Sequence, residues 1–279
     1  MKYGVFYFPT HYGMDVAELA VALEERGFES LFLCEHTHIP ASRDTPFPGG
    51  TDLPDRYWHT HDPFVALSFA AAATKTLRLG TGICLLPQRD PIVTAKVISS
   101  LDIMSGGRIE FAVGAGWNVE EMENHGVVHK TRFKEMSEKI LAMKAMWIED
   151  EASFHGDFVN FDRIVSSPKP TQKPHPPILL GGETDHTIRR VVDFANGWFP
   201  RANYAFDPAE GMARLKQAAD AAGRDMAELP VTVFRAPPKA DKLPDYAAAG
   251  VHRVLFDVPD APRDTVLPLL DEYATLMTS

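Results

Sequence analysis

The chain has 279 residues and carries 38 acidic against 28 basic side chains, and its formal net charge of −10 excludes a generic nucleic-acid-binding surface. Hydrophobic residues make up 45%, enough for one large core, yet no apolar run approaches the roughly 18 residues of a membrane span. Only two cysteines occur, both inside apolar runs, and the N-terminal MKYGVFYFPTHYG lacks the apolar stretch and cleavage site of a signal peptide, so a disulfide framework is not expected and a reducing cytoplasm is.

Apolar runs of strand length alternate with segments of helical period along the chain. Tyr3–Phe8 is the first strand and Met14–Gly27 the helix after it, closing on glycine. Glu29–His36 is the second strand. A long irregular segment over 37–61 leads to the helix Asp62–Lys75, with Asp as N-cap and Pro at the first helical position. The stretch Leu79–Pro91 forms the third strand and Pro91–Gly107 its helix; Arg108–Gly116 and Thr131–Trp147 follow as the fourth pair. A second irregular segment, over 149–175, precedes the fifth strand, Pro176–Gly182, and a helix over Thr184–Ala195. Gly197–Pro200, Pro230–Arg235 and His252–Pro259 are the last three strands, and their helices run over 207–223, Leu243–Gly250 and Thr265–Thr278. Eight strands, each followed by a helix, define an α/β chain folded as a (β/α)8 TIM barrel, with residues 1–279 as a single domain. An open doubly wound sheet is the weaker alternative, because no GxGxxG follows the first strand. Both irregular segments are longer than ordinary connectors and are expected to be active-site loops.

In such barrels the reacting groups stand where strands end and the βα loops begin. Those positions here hold Thr10 and His11, Glu35 and His36, Gln88 and Arg89, Trp117 and Asn118, Gly181 to Thr184, Arg201, Arg235 and Asp257. Glycines recur among them: Gly80 and Gly82 on the third strand, Gly114 and Gly116 on the fourth, Gly181 and Gly182 on the fifth. One such glycine marks a tight turn or close packing. Their coincidence on neighbouring strands points to a flat ligand lying against bare backbone.

GGET (Gly181, Gly182, Glu183, Thr184) opens a helix, whose free N–H groups and dipole attract phosphate, and Arg201 on the next strand end would add charge-assisted contacts. His36 is the expected acid–base group, since imidazole exchanges a proton near neutral pH. A histidine satisfied by a loop carbonyl is its plain structural alternative. Cys34 and Cys84 read as small buried hydrophobes, and Phe47, Tyr57 and Trp58 as cover for a ligand or anchors for their loop. His36-Thr37-His38 and His59-Thr60-His61 have a spacing used by metal ligands, but no histidine ends the fifth or sixth strand and His186 falls inside a helix, so no metal site is expected.

The runs FLCEHTHIP, LRLGTGICLLPQRDPIVTAKVISSLDIMSGGRIEFAVGAGWNVEEMENHG and PPILLGGETDHTIRRVVDFANGWFP resemble the bacterial luciferase-like flavin and deazaflavin oxidoreductases, in particular their actinobacterial branch that uses coenzyme F420. The similarity runs from Met1 to about Pro200. It implies a bulge in the third strand, often with a non-prolyl cis peptide, that supports the isoalloxazine or deazaflavin ring; the matching bond is Gly82–Ile83. It implies further that Glu35 lies near that ring, that Gly116 and Gly181 to Thr184 belong to the cofactor site, and that His36 is the proton donor. Trp117 departs from the glutamate of the sugar-phosphate dehydrogenases in the group, which puts glucose-6-phosphate oxidation in doubt. The expected activity is therefore F420-dependent hydride transfer to or from a small organic substrate. FMN-dependent monooxygenation is the alternative, and a flavin-binding protein without catalysis a further one. A homodimer is expected because family members are often dimers.

Overall fold

In a computed structural model of the chain, which describes residues 1–50, 52–202 and 206–277, the strands form one parallel sheet that curls into a barrel. The barrel strands are β1 (Lys2–Tyr7), β2 (Ser30–Leu33), β3 (Arg78–Thr81) with its continuation β4 (Cys84–Leu85), β5 (Ile109–Gly114), β8 (Ile178–Gly181), β9 (Gly197–Phe199), β10 (Thr232–Val233) and β11 (Arg253–Val258). They pair in the order β10-β11-β1-β2-β3-β5-β8-β9, with β4 on β5, and bridges Trp198 to Val231 and Arg201 to Phe234 close the ring. The expected barrel is therefore present.

Around it lie α1 (Val16–Glu25), α3 (Pro63–Ala73), α4 (Pro91–Met104), α6 (Arg132–Ile148), α7 (Asp185–Phe194), α8 (Pro208–Ala222), α9 (Leu243–Ala248) and α10 (Arg263–Thr275). Their starts follow the capping logic of the sequence. Asp62, Asp90 and Asp207 each accept backbone N–H bonds in front of a proline in the first turn, and Thr184 caps α7. Gly223 ends α8 in the left-handed conformation (φ +67°). The helix expected to reach Thr278 ends earlier, and Thr278 lies outside the described residues.

The two irregular segments have separate fates. The described residues of the first, 37–50 and 52–61, do cover the C-terminal rim, carrying the one-turn α2 (Arg56–His59); His61 N–H donates to Pro9 O at 2.7 Å and Thr10 bridges Thr60. The segment over 149–175 contains an antiparallel hairpin, β6 (Ala152–His155) and β7 (Asn160–Ile164), and joins α6 to β8. Gln172 is bonded to Ile109 O and by Arg78, the first residues of β5 and β3. That end of the barrel is opposite the rim, so this second segment is not an active-site loop. An element that runs from a helix to the next strand returns to the strands' N-terminal end.

Inside the barrel, strand alternation sends Phe6, Phe8, Phe32, Cys34, Ala112, Leu179, Phe199 and Leu255 inward, while their neighbours pack under the helices. Below this apolar layer a charged one fills the N-terminal end. Arg253, 1% exposed, donates to Glu110 at 2.6 and 2.7 Å and to Glu29 at 2.7 and 2.9 Å, and Arg78 adds a bond to Glu110. Burial alone would push the Glu110 carboxyl up, but Arg253 and Arg78 more than offset it and bring it down to about 2.

Candidate active site

At the rim a cavity of about 260 Å³ opens between β2, the β3–β4 break, β5 and β8. Its size lies just below the roughly 300–1,000 Å³ of ordinary ligand clefts, suited to a flat ring with any tail running outside. Most of its wall is apolar: Phe6, Phe8, Tyr57, Ile83, Leu85, Trp117, Phe133, Phe199 and Phe234, with Gly82, Gly114, Gly116, Gly181 and Gly182 between them.

The Gly82–Ile83 bond is cis, as the resemblance implies, and the strand breaks there. The glycines have another use than the expected one. A Cβ on Gly80 would fall 2.3 Å from the Phe32 ring, and one on Gly114 would fall 1.9 Å from Ile83 Cδ1. These two absences seat Phe32 and Ile83, not a ligand directly, and the seated Ile83 is what faces the cavity. Gly116 and Gly182 are different: at φ +82° and +119° they occupy backbone conformations that favour glycine, and both line the cavity.

Two acidic residues of the rim are committed to holding it in shape. Glu35, 3% exposed, accepts the Leu85 N–H at 2.6 Å and pairs with Arg89, which also reaches Asp62. It therefore fixes β4 behind Ile83 and acts on the cavity through the backbone. Glu183 is tied to Arg201 by Nε at 2.9 Å and Nη2 at 2.7 Å and accepts the Arg201 backbone N–H as well. Arg201 thus reaches the cavity wall with its charge already matched.

His36 lines the cavity with its side chain 6% exposed. Its Nδ1 lies 2.9 Å from Glu121 Oε2, and its ring stands between those of Tyr57 (centroids 5.3 Å apart) and Trp117 (5.9 Å). Phe47 touches both flanking rings, so the loop aromatics of 37–61 do cover the site, except Trp58, which is 43% exposed and meets Arg43. Burial pushes the Tyr57 hydroxyl up to about 12, and it raises the Cys34 thiol, so both line the wall uncharged. With Tyr57 and Cys34 protonated and Glu35 and Arg201 paired, His36 is the remaining ionisable side chain of the cavity wall among the described residues.

Sequence reasoning missed three residues. Glu121 sits in the short helix α5 (Val119–Asn124), between the expected fourth strand and its helix, where the sequence reading places no element. Arg132 and Arg190 stack over the ring of Phe133, a cavity-wall residue, with guanidinium carbons 4.5 and 4.7 Å from its centroid. Neither has a carboxylate partner among the described residues, and both bond only backbone carbonyls, of His129 and His186. A pattern search gives them no signal, because α6 and α7 bring them together from 58 positions apart (190 minus 132). Among the described residues no group of three or more His, Cys, Asp or Glu side chains is arranged to hold a metal ion.

A parallel barrel with an apolar, glycine-edged cavity at its C-terminal rim has its cavity where barrel enzymes build their active sites. The family model described as luciferase-like monooxygenase matches residues 1–265, and the chain belongs to that family, whose members are oxidoreductases or monooxygenases. An uncharacterised protein of Mycobacterium tuberculosis is 38% identical, the match covering 98% of both chains. Among solved structures, the monooxygenase RslO1 of Streptomyces bottropensis superposes with a TM-score of 0.81 at 19% identity, covering 100% of this chain and 99% of that one. An F420-dependent secondary alcohol dehydrogenase in complex with an F420–acetone adduct gives 0.76 at 17%, covering 99% and 98%. At those identities the likeness is one of fold.

The turn at Gly182 offers a direct probe of the cavity. A Cβ there would meet Thr187 Oγ1 at 2.9 Å in a conformation L side chains rarely adopt. Gly182→Val is expected to displace the turn before α7 and to weaken coenzyme binding at least tenfold, with the barrel's circular dichroism kept. Undiminished binding in an equilibrium titration would remove the turn from the site.

Proposed function

We propose that this chain is an F420-dependent oxidoreductase that moves hydride between the deazaflavin and a small organic substrate, with His36 exchanging the accompanying proton. The observation that carries the reading is the pairing, in one cavity, of a flat apolar wall at Gly82–Ile83 with a single imidazole. The residues fit such a coenzyme. Ile83 buttresses a ring face, Gly116, Gly181 and Gly182 admit it close to the backbone, and Thr184 opens the helix toward which its phosphate would lie. Arg132 and Arg190, cations without carboxylate partners among the described residues in a chain of net charge −10, suit the anionic tail. When bound, the deazaflavin supplies a two-electron hydride carrier. His36 takes the proton of a substrate hydroxyl during oxidation and returns it during reduction; Tyr57, Phe47 and Trp117 exclude water around it.

Reduced FMN in a monooxygenase is the second reading, favoured by the description of the matching family as luciferase-like monooxygenase. The two separate in one experiment. With a panel of small alcohols, the protein is expected to bleach F420 anaerobically. With reduced FMN in air it is expected to give no oxygenated product above the uncatalysed background. The opposite pair of results would establish the monooxygenase.

The two cysteines are buried and free, which supports placing the enzyme in the reducing cytoplasm. We propose a homodimer and, as its candidate face, the exposed apolar side chains of α3 and α4: Val65, Phe69, Val93 and Met104 are 59%, 62%, 62% and 80% exposed. Phe69→Glu is expected to halve the mass measured by light scattering. A wild-type monomer would contradict the assignment.

A further inference from the structure

The proposed chemistry uses one ring nitrogen of His36. The other meets Glu121, which is fully buried. Its Oε2 lies 2.9 Å from Nδ1, and its Oε1 has no hydrogen-bond partner among the described residues. Buried carboxyl oxygens are ordinarily bonded, so one left bare calls for a reason other than folding.

The local sequence shows what Glu121 has given up. Asn118 caps α5, its Oδ1 accepting the Glu121 N–H at 3.0 Å. Asn at the cap with Glu three residues on has the spacing of a capping box, in which the acid turns back to the cap's own N–H. Only the first half of the box is made. Oε2 goes to His36 and Oε1 to nothing, so the side chain is drawn off its own helix and across to β2's end. Glu35, next to His36 in the chain, does not compete, because Leu85 and Arg89 occupy its oxygens.

We infer that Glu121 is the positioning residue of His36. Oε2 accepts the Nδ1–H, which fixes the neutral ring in one tautomer and leaves the Nε2 lone pair for the cavity; no protein group is bonded to Nε2 among the described residues. During oxidation of an alcohol, Nε2 would take the proton as the substrate's O–H bond breaks, and a bound deazaflavin would supply the acceptor for the hydride leaving the carbon that carries that hydroxyl. A carbonyl forms, and the imidazolium stays paired with the Glu121 carboxylate. The reverse sequence balances reduction. The inference rests on the proton-exchange role of His36, but its test does not need that role.

The test is long-range ¹⁵N–¹H correlation NMR of histidine-labelled apoprotein, at a pH well above the ordinary imidazole value of about 6.5. The His36 signals are assigned by their loss in His36→Gln. Wild-type protein is expected to show His36 as a single tautomer with the proton on Nδ1. Glu121→Gln, whose amide can donate as well as accept, is expected to lose that single tautomer and to reduce turnover at least tenfold with the substrate KM little changed. A wild-type proton on Nε2, or both tautomers in equal amounts, overturns the inference, as does an unchanged tautomer in a folded Glu121→Gln. If that variant fails to fold, the wild-type tautomer alone decides. A fixed Nδ1–H tautomer together with normal turnover in His36→Ala confirms the positioning and overturns the proton-exchange reading.

Discussion

His36→Ala is expected to lower turnover at saturating coenzyme by about 10²–10⁴-fold, the usual reach of a positioned acid–base group. The size follows from the wall of the cavity. Burial keeps Tyr57 and Cys34 protonated, and the Glu35 oxygens are held by Leu85 and Arg89, so none of these cavity-wall side chains can take over the proton, and Glu121 does not line the cavity. Coenzyme affinity should change far less, since Ile83 and the glycine edge are untouched. A merely structural histidine would behave differently: its loss would lower the melting temperature and reduce activity only through unfolding. Turnover and thermal stability measured on the same preparation separate the two cases. Near-normal turnover in a well-folded variant sinks the catalytic role.

The second large effect lies at the other end of the barrel and concerns stability alone. Glu110→Ala strips Arg253 and Arg78 of their shared carboxylate, leaving Arg253 with Glu29 and Thr232 at 1% exposure. Breaking a buried ion pair by removing one partner costs about 3–5 kcal/mol, because the remaining charge stays out of water. That loss should appear as a lower urea midpoint near pH 7, with coenzyme binding intact in the folded fraction. The pH dependence has a definite sign. Glu110 is lowered from 4.5 to about 2 on folding, so its contribution is fully present above about 4.5 and disappears as pH falls through about 2. The wild type should therefore lose stability over that window and Glu110→Ala should lose less. Parallel acid curves for the two proteins would show that the network is not coupled to folding in this way.

The strands and helix caps were legible because each depends on neighbours in sequence. Asp62-Pro63 and Asp207-Pro208 announce helix starts, and the apolar runs announce strands buried on both faces. The hairpin over 152–164 was not, since it packs on α6, where Glu138 accepts the Phe158 N–H, with most of its residues exposed and no buried alternating face. The rim glycines were legible as a group, but two of them serve packing and do not face a ligand directly. What Gly80 and Gly114 accommodate, Phe32 and Ile83, depends on which strands lie side by side and is visible only in the fold. The same holds for Glu121 with His36, and for Arg132 with Arg190. Spacing within a chain carries no information on partners 85 or 58 positions apart.

The central claim is that the cavity before Gly82–Ile83 receives a deazaflavin, and equilibrium binding tests it most directly. Apoprotein is titrated with F420 and with FMN under the same salt, and the F420 titration is repeated with Arg132→Ala/Arg190→Ala. Tighter binding of F420 than of FMN, weakened at least tenfold by the double substitution, is the predicted result. Equal or reversed affinities would contradict it and transfer the cavity to flavin.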